Sequence, residues 1–189
     1  MSLLARNLSK QVFTRQSRRH FSVSPFAPGP PSPRVLGFLG LAPFVGTTAA
    51  AIVAPEFTFL AMEVQSVYST TILSFMGAVH YGLAMAEYGN IGLNQSNAVR
   101  YSLSVTPALV AFFATILGNV PTALAVHLVS YNALLWADLV AARKGLVPSW
   151  YPGMRIWLTG IVSASIGGML YLGYTKDQKD KEVVEGKSA

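Results

Sequence analysis

Four ionisable side chains lie in or beside apolar stretches of the chain. His80 and Glu87 are seven residues apart, and His127 and Asp138 are eleven residues apart. An α-helix turns by about 100° per residue, so the members of each pair lie within about 20° of the same helix face. Tyr131, one turn after His127, shares the second line. Two helices are therefore each predicted to present an imidazole and a carboxylate along one line.

This pattern has two interpretations. Histidine exchanges protons near neutral pH, so the first is a proton or ion pathway, or a quinone-type pocket. The second, which we favour, is structural: the carboxylates pair at the membrane rim with Arg100, Arg143 or Arg155, and neutral histidines bond to a neighbouring helix. His80 is about 10 Å deeper than Glu87 at 1.5 Å per residue, too far for direct contact. A haem held by both histidines is a remote third alternative.

The remaining sequence lacks the patterns that carry most enzymatic chemistry. The chain has no cysteine, which excludes thiol nucleophiles and thiolate metal sites. It has three histidines, so a metal centre would have few ligands. We find no glycine-rich phosphate loop, no serine nucleophile elbow and no carboxylate cluster with metal spacing. We therefore expect a protein that is not an enzyme and that has no catalytic residue, metal or other cofactor.

Composition indicates which elements must position these side chains. Of the 189 residues, 52% are hydrophobic and 12% are charged, where a water-soluble domain has about 25% charged residues. Crossing about 30 Å of hydrocarbon takes roughly 20 helical residues. Five stretches qualify, at about 35–53, 67–86, 101–117, 122–140 and 156–174. The predicted fold is an all-α, polytopic membrane bundle over 35–174, followed by a charged, disordered tail at 175–189.

The first 21 residues have the composition of a mitochondrial transit peptide, because five basic residues and no acidic ones are spread along an amphipathic pattern. A nucleic-acid arm or a surface helix is the alternative. The sequence Arg19-His20-Phe21-Ser22 resembles a matrix processing site, which places the mature start near Ser22. Residues 22–34, rich in proline, are expected to form an extended spacer.

The basic residues of the short loops predict the orientation. With five spans, the mature N-terminus and the second and fourth loops share a side, and the basic residues there are Arg34, Arg100, Arg143, Lys144 and Arg155. The first and third loops carry no basic residue. The positive-inside rule therefore predicts a matrix N-terminus and a C-terminus in the intermembrane space.

Three segments resemble a known family. The run from Ser74 to Gly82, SFMGAVHYG, is similar to a core written SFLGxxHWG, with Tyr81 in place of Trp. The run from Arg143 to Arg155 resembles a second hallmark, a basic loop leading through GLxPxWYxxxR. Residues 37–44 resemble the family's opening segment. The family comprises small membrane proteins of unknown function and includes transmembrane protein 69 and fungal mitochondrial inner membrane protein 1. The resemblance implies membership and no activity.

These observations favour a non-enzymatic accessory, assembly or scaffold factor of the mitochondrial inner membrane. Its partners are expected to be the lipid bilayer and other inner-membrane proteins or a second copy, and no nucleic acid. A proton-coupled transporter using the four ionisable residues is the alternative. The expected contact with a partner or with anionic lipid is the basic fourth loop, through Arg143, Lys144, Trp150, Tyr151 and Arg155.

Overall fold

The computed structural model describes residues 29–89 and 97–187. The predicted transit peptide, the predicted processing site at Arg19, Phe21 and Ser22, and most of the predicted spacer lie outside these residues, and so do the last two residues of the tail. Within the described ranges the regular elements are all helical, which confirms the predicted fold class.

Six α-helices lie within the described residues. They are α1 (Pro31–Leu39), α2 (Ala42–Val53), α3 (Thr58–Met85), α4 (Asn97–Leu117), α5 (Val120–Arg143) and α6 (Tyr151–Lys187). A 3-10 turn, Pro55–Phe57, joins α2 to α3. Only Gly40 and Leu41 separate α1 from α2, and the two helices together form one candidate span, Pro31–Val53. The described residues therefore contain five long helical segments.

Four segments of the described chain are long and apolar enough to cross a bilayer, namely Pro31–Val53, Ala98–Leu117, Val120–Arg143 and Tyr151–Val184. The central helix α3 is not among them, although it covers most of the predicted second span. Its polar residues Gln65, Ser66 and Ser69 lower its hydropathy but are buried. Helix α3 contacts α2, α4, α5 and α6, so these three polar side chains face protein rather than lipid.

Proline residues explain where α1 begins and where it ends. Pro31 opens α1, where the missing amide hydrogen is not needed, so the helix begins within the segment predicted to be an extended spacer. Pro43 has no N–H to donate to the carbonyl of Leu39, and α1 ends at that residue. The spacer prediction is therefore wrong for residues 31–34.

Helix α4 packs closely against α3 at one glycine. A side chain at Gly77 would overlap the backbone carbonyl oxygen of Ser104, so only glycine permits this approach. Pro107 lies inside α4 and close to the same contact. Gly82, on the same helix as Gly77, is exposed, and a side chain there would meet nothing within 4 Å.

The C-terminal segment is helical where the sequence predicted disorder. Helix α6 continues through the charged residues to Lys187. Lys and Glu are good helix formers, and opposite charges four residues apart stabilise a helix. Lys181 and Asp177 form such a pair, with Nζ and Oδ2 separated by 2.6 Å.

Contacts between loops define the two ends of the bundle. At one end, a side chain at Gly89 would collide with Gly145 and Leu146, and Arg100 donates to the carbonyl of Tyr88, so the second and fourth loops meet. At the other end, Lys176 Nζ donates to the Pro55 carbonyl at 2.8 Å. The first loop therefore lies beside the middle of α6, at the opposite end from the second and fourth loops.

Candidate functional site

The helix periodicity of α5 places His127, Tyr131 and Asp138 on one face, and the structure buries that face rather than leaving Asp138 at the rim, where we had expected it. All three residues are buried, with Asp138 1% exposed. Helix α5 begins with an N-cap at Asn119, whose side chain accepts from the Thr122 amide at 2.9 Å. The cap fixes the start of the helix and, through its periodicity, the direction of the buried residues.

Asp138 is the centre of a buried ionic cluster. Its Oδ2 accepts from Arg155 Nε at 2.6 Å, and its Oδ1 lies 2.5 Å from His80 Nε2. These three residues come from α5, α6 and α3, so one carboxylate joins three helices. The guanidinium is 3% exposed, and His80 keeps about a fifth of its side-chain surface exposed. We call His80, Asp138 and Arg155 the carboxylate triad.

The triad lies one to two turns below one end of the bundle. His80 and Asp138 each precede the last residue of their helix by five positions, and Arg155 follows the first residue of α6 by four. At 1.5 Å per residue this depth is about 7 Å. The end in question is the one where the second and fourth loops meet.

Arg155 had been predicted to lie in the fourth loop, as a rim partner of Asp138 and as part of a contact surface. The pairing with Asp138 occurs, but it is inside the bundle. The predicted span began at residue 156, whereas α6 begins at Tyr151. Pro152, in the first turn, was the available signal, because proline is favoured at the start of a helix.

The other predicted loop contacts divide between surface and interior. Arg143 and Lys144 are exposed, Trp150 is partly buried, and Tyr151 is buried. Gly145 adopts a positive φ of 71°, which ends α5 with a turn from which Leu146 donates to Ala141. Only the first part of the predicted contact surface is therefore accessible to a partner or to lipid.

Glu87 does not share a helix face with His80. Helix α3 ends at Met85, and Glu87 lies in the following turn with a φ of 50°. The seven-residue periodicity therefore stops before Glu87, whose side chain is exposed at the end of the bundle.

His127 occupies a separate polar position. Its Nε2 lies 3.4 Å from the hydroxyls of Thr70 and Thr115 and from the carbonyl of Ala111. These partners belong to α3 and α4, which agrees with the predicted bond to a neighbouring helix. His127 and His80 thus use their Nε2 atoms in different places, and this arrangement does not fit a haem held by both. Within the described ranges, no three His, Asp or Glu residues could hold a metal ion.

A cavity adjoins the carboxylate triad, and sequence reasoning did not find it. Its volume is about 440 Å³, and its walls come from α1, α2, α3, α5 and α6. Arg155, Met76 and Tyr131 contribute to the wall, together with Thr159 one turn beyond Arg155. Nη1 of Arg155 lies against the sulfur of Met76. Met76 and Thr159 carried no sequence signal, because each is unremarkable within an apolar span.

Comparison with known proteins places these features in a family. The sequence is 27% identical over 177 residues to transmembrane protein 69 from Xenopus tropicalis, covering 88% of this chain and 66% of that protein. The chain thus spans slightly less than two thirds of that relative's length. No solved structure matches. The family described as protein of unknown function (DUF3429) matches residues 29–171, which contain the whole triad. The chain therefore belongs to the DUF3429 family of membrane proteins.

Proposed function

We propose that this chain is a non-enzymatic accessory or scaffold protein of the mitochondrial inner membrane, which holds a fixed helical surface against other membrane proteins. The observation that carries the proposal is the pairing of Asp138 with two side chains from other helices. Arg155 and His80 engage both of its oxygens, at 2.6 and 2.5 Å. A buried acid is thus used to hold three helices together.

A carboxylate such as Asp138, with both oxygens held by fixed partners, fits a scaffold better than a carrier. A transporter must rearrange its helices or change the charge of an intramembrane group in each cycle. Removing the partner of a buried charge is strongly unfavourable, so the Asp138–Arg155 pair opposes both changes. His127, on the same helix, is held by threonine hydroxyls of two other helices and has no carboxylate beside it.

The exposed basic pair Arg143 and Lys144 supplies the surface for a partner or for anionic lipid. Both residues lie at the end of α5, beside the second loop. Basic residues next to a span attract anionic headgroups by about 1 kcal/mol each. They are also enriched in loops that are not carried across the membrane during insertion. With the acid-free leader, this pair supports a matrix location for this end, with the C-terminus in the intermembrane space.

Affinity purification of the tagged chain from mitochondria tests this role. The double variant Arg143→Gln, Lys144→Gln is expected to lose a defined set of protein neighbours at unchanged abundance. The matched control is Lys179→Gln, Lys181→Gln on the exposed part of α6. Equal recovery of the neighbours with both double variants would contradict the contact surface. Release of the processed chain by alkaline carbonate would contradict the membrane location.

A proton-coupled transporter is the second candidate, because His80 is in direct contact with Asp138 and is only partly buried. The variant His80→Gln separates the two roles. The scaffold role predicts lower abundance or a lower melting temperature, with partner recovery falling in proportion. A transporter predicts normal abundance and the loss of a pH-dependent flux in proteoliposomes.

A further inference from the structure

The cavity beside the carboxylate triad has the size and shape of a small-molecule site. Its 440 Å³ lies within the range of about 300–1,000 Å³ that is typical of ligand pockets. Apolar side chains from several helices form most of its wall. They include Leu36, Phe44, Phe75, Val79, Leu158 and Val162.

Two polar side chains in this wall keep an atom without a hydrogen-bond partner among the described residues. These atoms are Nη2 of Arg155 and Oγ1 of Thr159, and both are buried. The two residues are 3% and 1% exposed, and they are one helical turn apart on α6. Buried polar groups are nearly always satisfied in native proteins, so these two call for an acceptor supplied from outside the chain.

The charge of the cluster restricts what that acceptor is. The Arg155 guanidinium already has a carboxylate partner, because its Nε donates to Asp138 Oδ2 at 2.6 Å. A second anion would therefore meet a nearly neutral pair, with a carboxylate close by, in surroundings where an unpaired charge is costly. A neutral carbonyl oxygen accepts from both free donors and adds no charge.

The cavity is bounded on one side by side chains that also face outwards. Leu36 on α1 and Phe75 on α3 both line it and are 68% and 61% exposed. Helix α1 has no buried residue, so it closes this side only loosely. In a membrane these exposed apolar side chains face acyl chains, and a ligand would enter between the two helices from the bilayer.

We propose that this cavity binds a neutral, lipid-soluble molecule through a carbonyl oxygen that accepts hydrogen bonds from Arg155 and Thr159. Two kinds of membrane molecule have this chemistry, an acyl ester of the diacylglycerol type and a quinone. The inference does not depend on the accessory role, because a scaffold and a carrier would each leave the same donors unpaired.

Binding to the full processed chain in detergent micelles tests the proposal with two probes, dioctanoylglycerol and a decyl-substituted benzoquinone. Trp150 lines the cavity and reports occupancy in a background of Trp136→Phe and Trp157→Phe, which removes the two other tryptophans. Both of those residues are at least half exposed and tolerate replacement. A saturable fluorescence change with one probe supports the site and identifies the source of the carbonyl. No saturable change with either probe overturns the proposal.

Two variants with matched controls test where the probe binds. Thr159→Val removes one donor and is expected to weaken binding about fivefold, the effect of one hydrogen bond. Thr106→Val, on an exposed face of α4, is expected to leave binding unchanged. Val79→Phe fills the cavity and is expected to abolish binding, whereas Val129→Phe on the exposed face of α5 is expected to have no effect.

Two further outcomes would overturn the proposal. One is a Val79→Phe variant that keeps a wild-type melting temperature and binds the probe as tightly as the wild type. Because this variant is independent of Thr159, it decides the question even if Thr159→Val fails to fold. The other is a dimer whose formation excludes both probes, since a second copy of the chain would then be the occupant.

Discussion

The buried Asp138–Arg155 pair is expected to dominate the stability of the bundle, and a double-mutant cycle measures its contribution. The perturbations are Asp138→Leu, Arg155→Met and the combination of the two. The chain supplies a control at the same distance, because Lys181 and Asp177 are also 2.6 Å apart but have side chains that are 61% and 49% exposed. The two pairs therefore share one distance and differ in burial, and the control pair lies within a single helix whereas the buried pair joins two helices.

The expected magnitudes follow from what each variant leaves behind. Asp138→Leu leaves an arginine side chain that is 3% exposed and that keeps the Met76 sulfur as a hydrogen-bond partner among the described residues. Leaving one buried charge uncompensated costs about 3–5 kcal/mol, and Arg155→Met creates the converse problem at Asp138. The double variant buries no unpaired charge, apart from the lost contact with His80. We expect it to lie within about 2 kcal/mol of the wild type.

The assay is reversible unfolding in mixed detergent and SDS micelles, followed by tryptophan fluorescence. The coupling free energy of the buried pair is expected to be at least about 3 kcal/mol, which is more than a hundredfold in the unfolding equilibrium. The exposed control pair is expected to give a coupling free energy several times smaller, because solvent screens its charges. If the two single effects simply add, or if Asp138→Leu costs no more than breaking the control pair, the reasoning is refuted.

Three other changes give independent tests by the same unfolding assay. Gly77→Ala is expected to cost about 2 kcal/mol or more, because its side chain would overlap the Ser104 carbonyl, whereas Gly82→Ala on the same helix should be neutral or stabilising. Equal effects would contradict the close approach of α3 and α4. Asn119→Ala is expected to cost about 1 kcal/mol by removing the cap of α5, and Asn119→Asp should restore most of it. Tyr68→Phe is expected to cost about 1 kcal/mol, because the hydroxyl donates to the Gly40 carbonyl at 2.9 Å. A wild-type midpoint for Tyr68→Phe would show that this bond contributes nothing.

Local sequence patterns were sufficient for the helices and for several of their ends. Apolar runs of the right length predicted five segments, and Asn119 with Pro121 is a local signal for the start of α5. Periodicity placed His127, Tyr131 and Asp138 on one face of α5, and this face is buried in the structure. These features depend on interactions within about four residues, so a linear reading of the chain contains the information.

Other features of the candidate site required the tertiary structure. Periodicity gives the face of a helix on which a residue lies, but it does not identify the helix opposite that face. The pairing of Asp138 with His80 and Arg155 joins residues that are 58 and 17 positions away. The choice of Gly77 over Gly82 as the point of close approach likewise depends on which side of α3 meets α4.

The sequence by itself determined that this is a helical membrane protein, because composition and local spacing set the solvent and the secondary structure. Only the tertiary structure decided that Arg155 is an interior residue and that a cavity lies beside it. The physical reason is that burial of a charge depends on partners contributed by distant helices. A basic residue at the start of a span looks like a loop charge until those partners are in place.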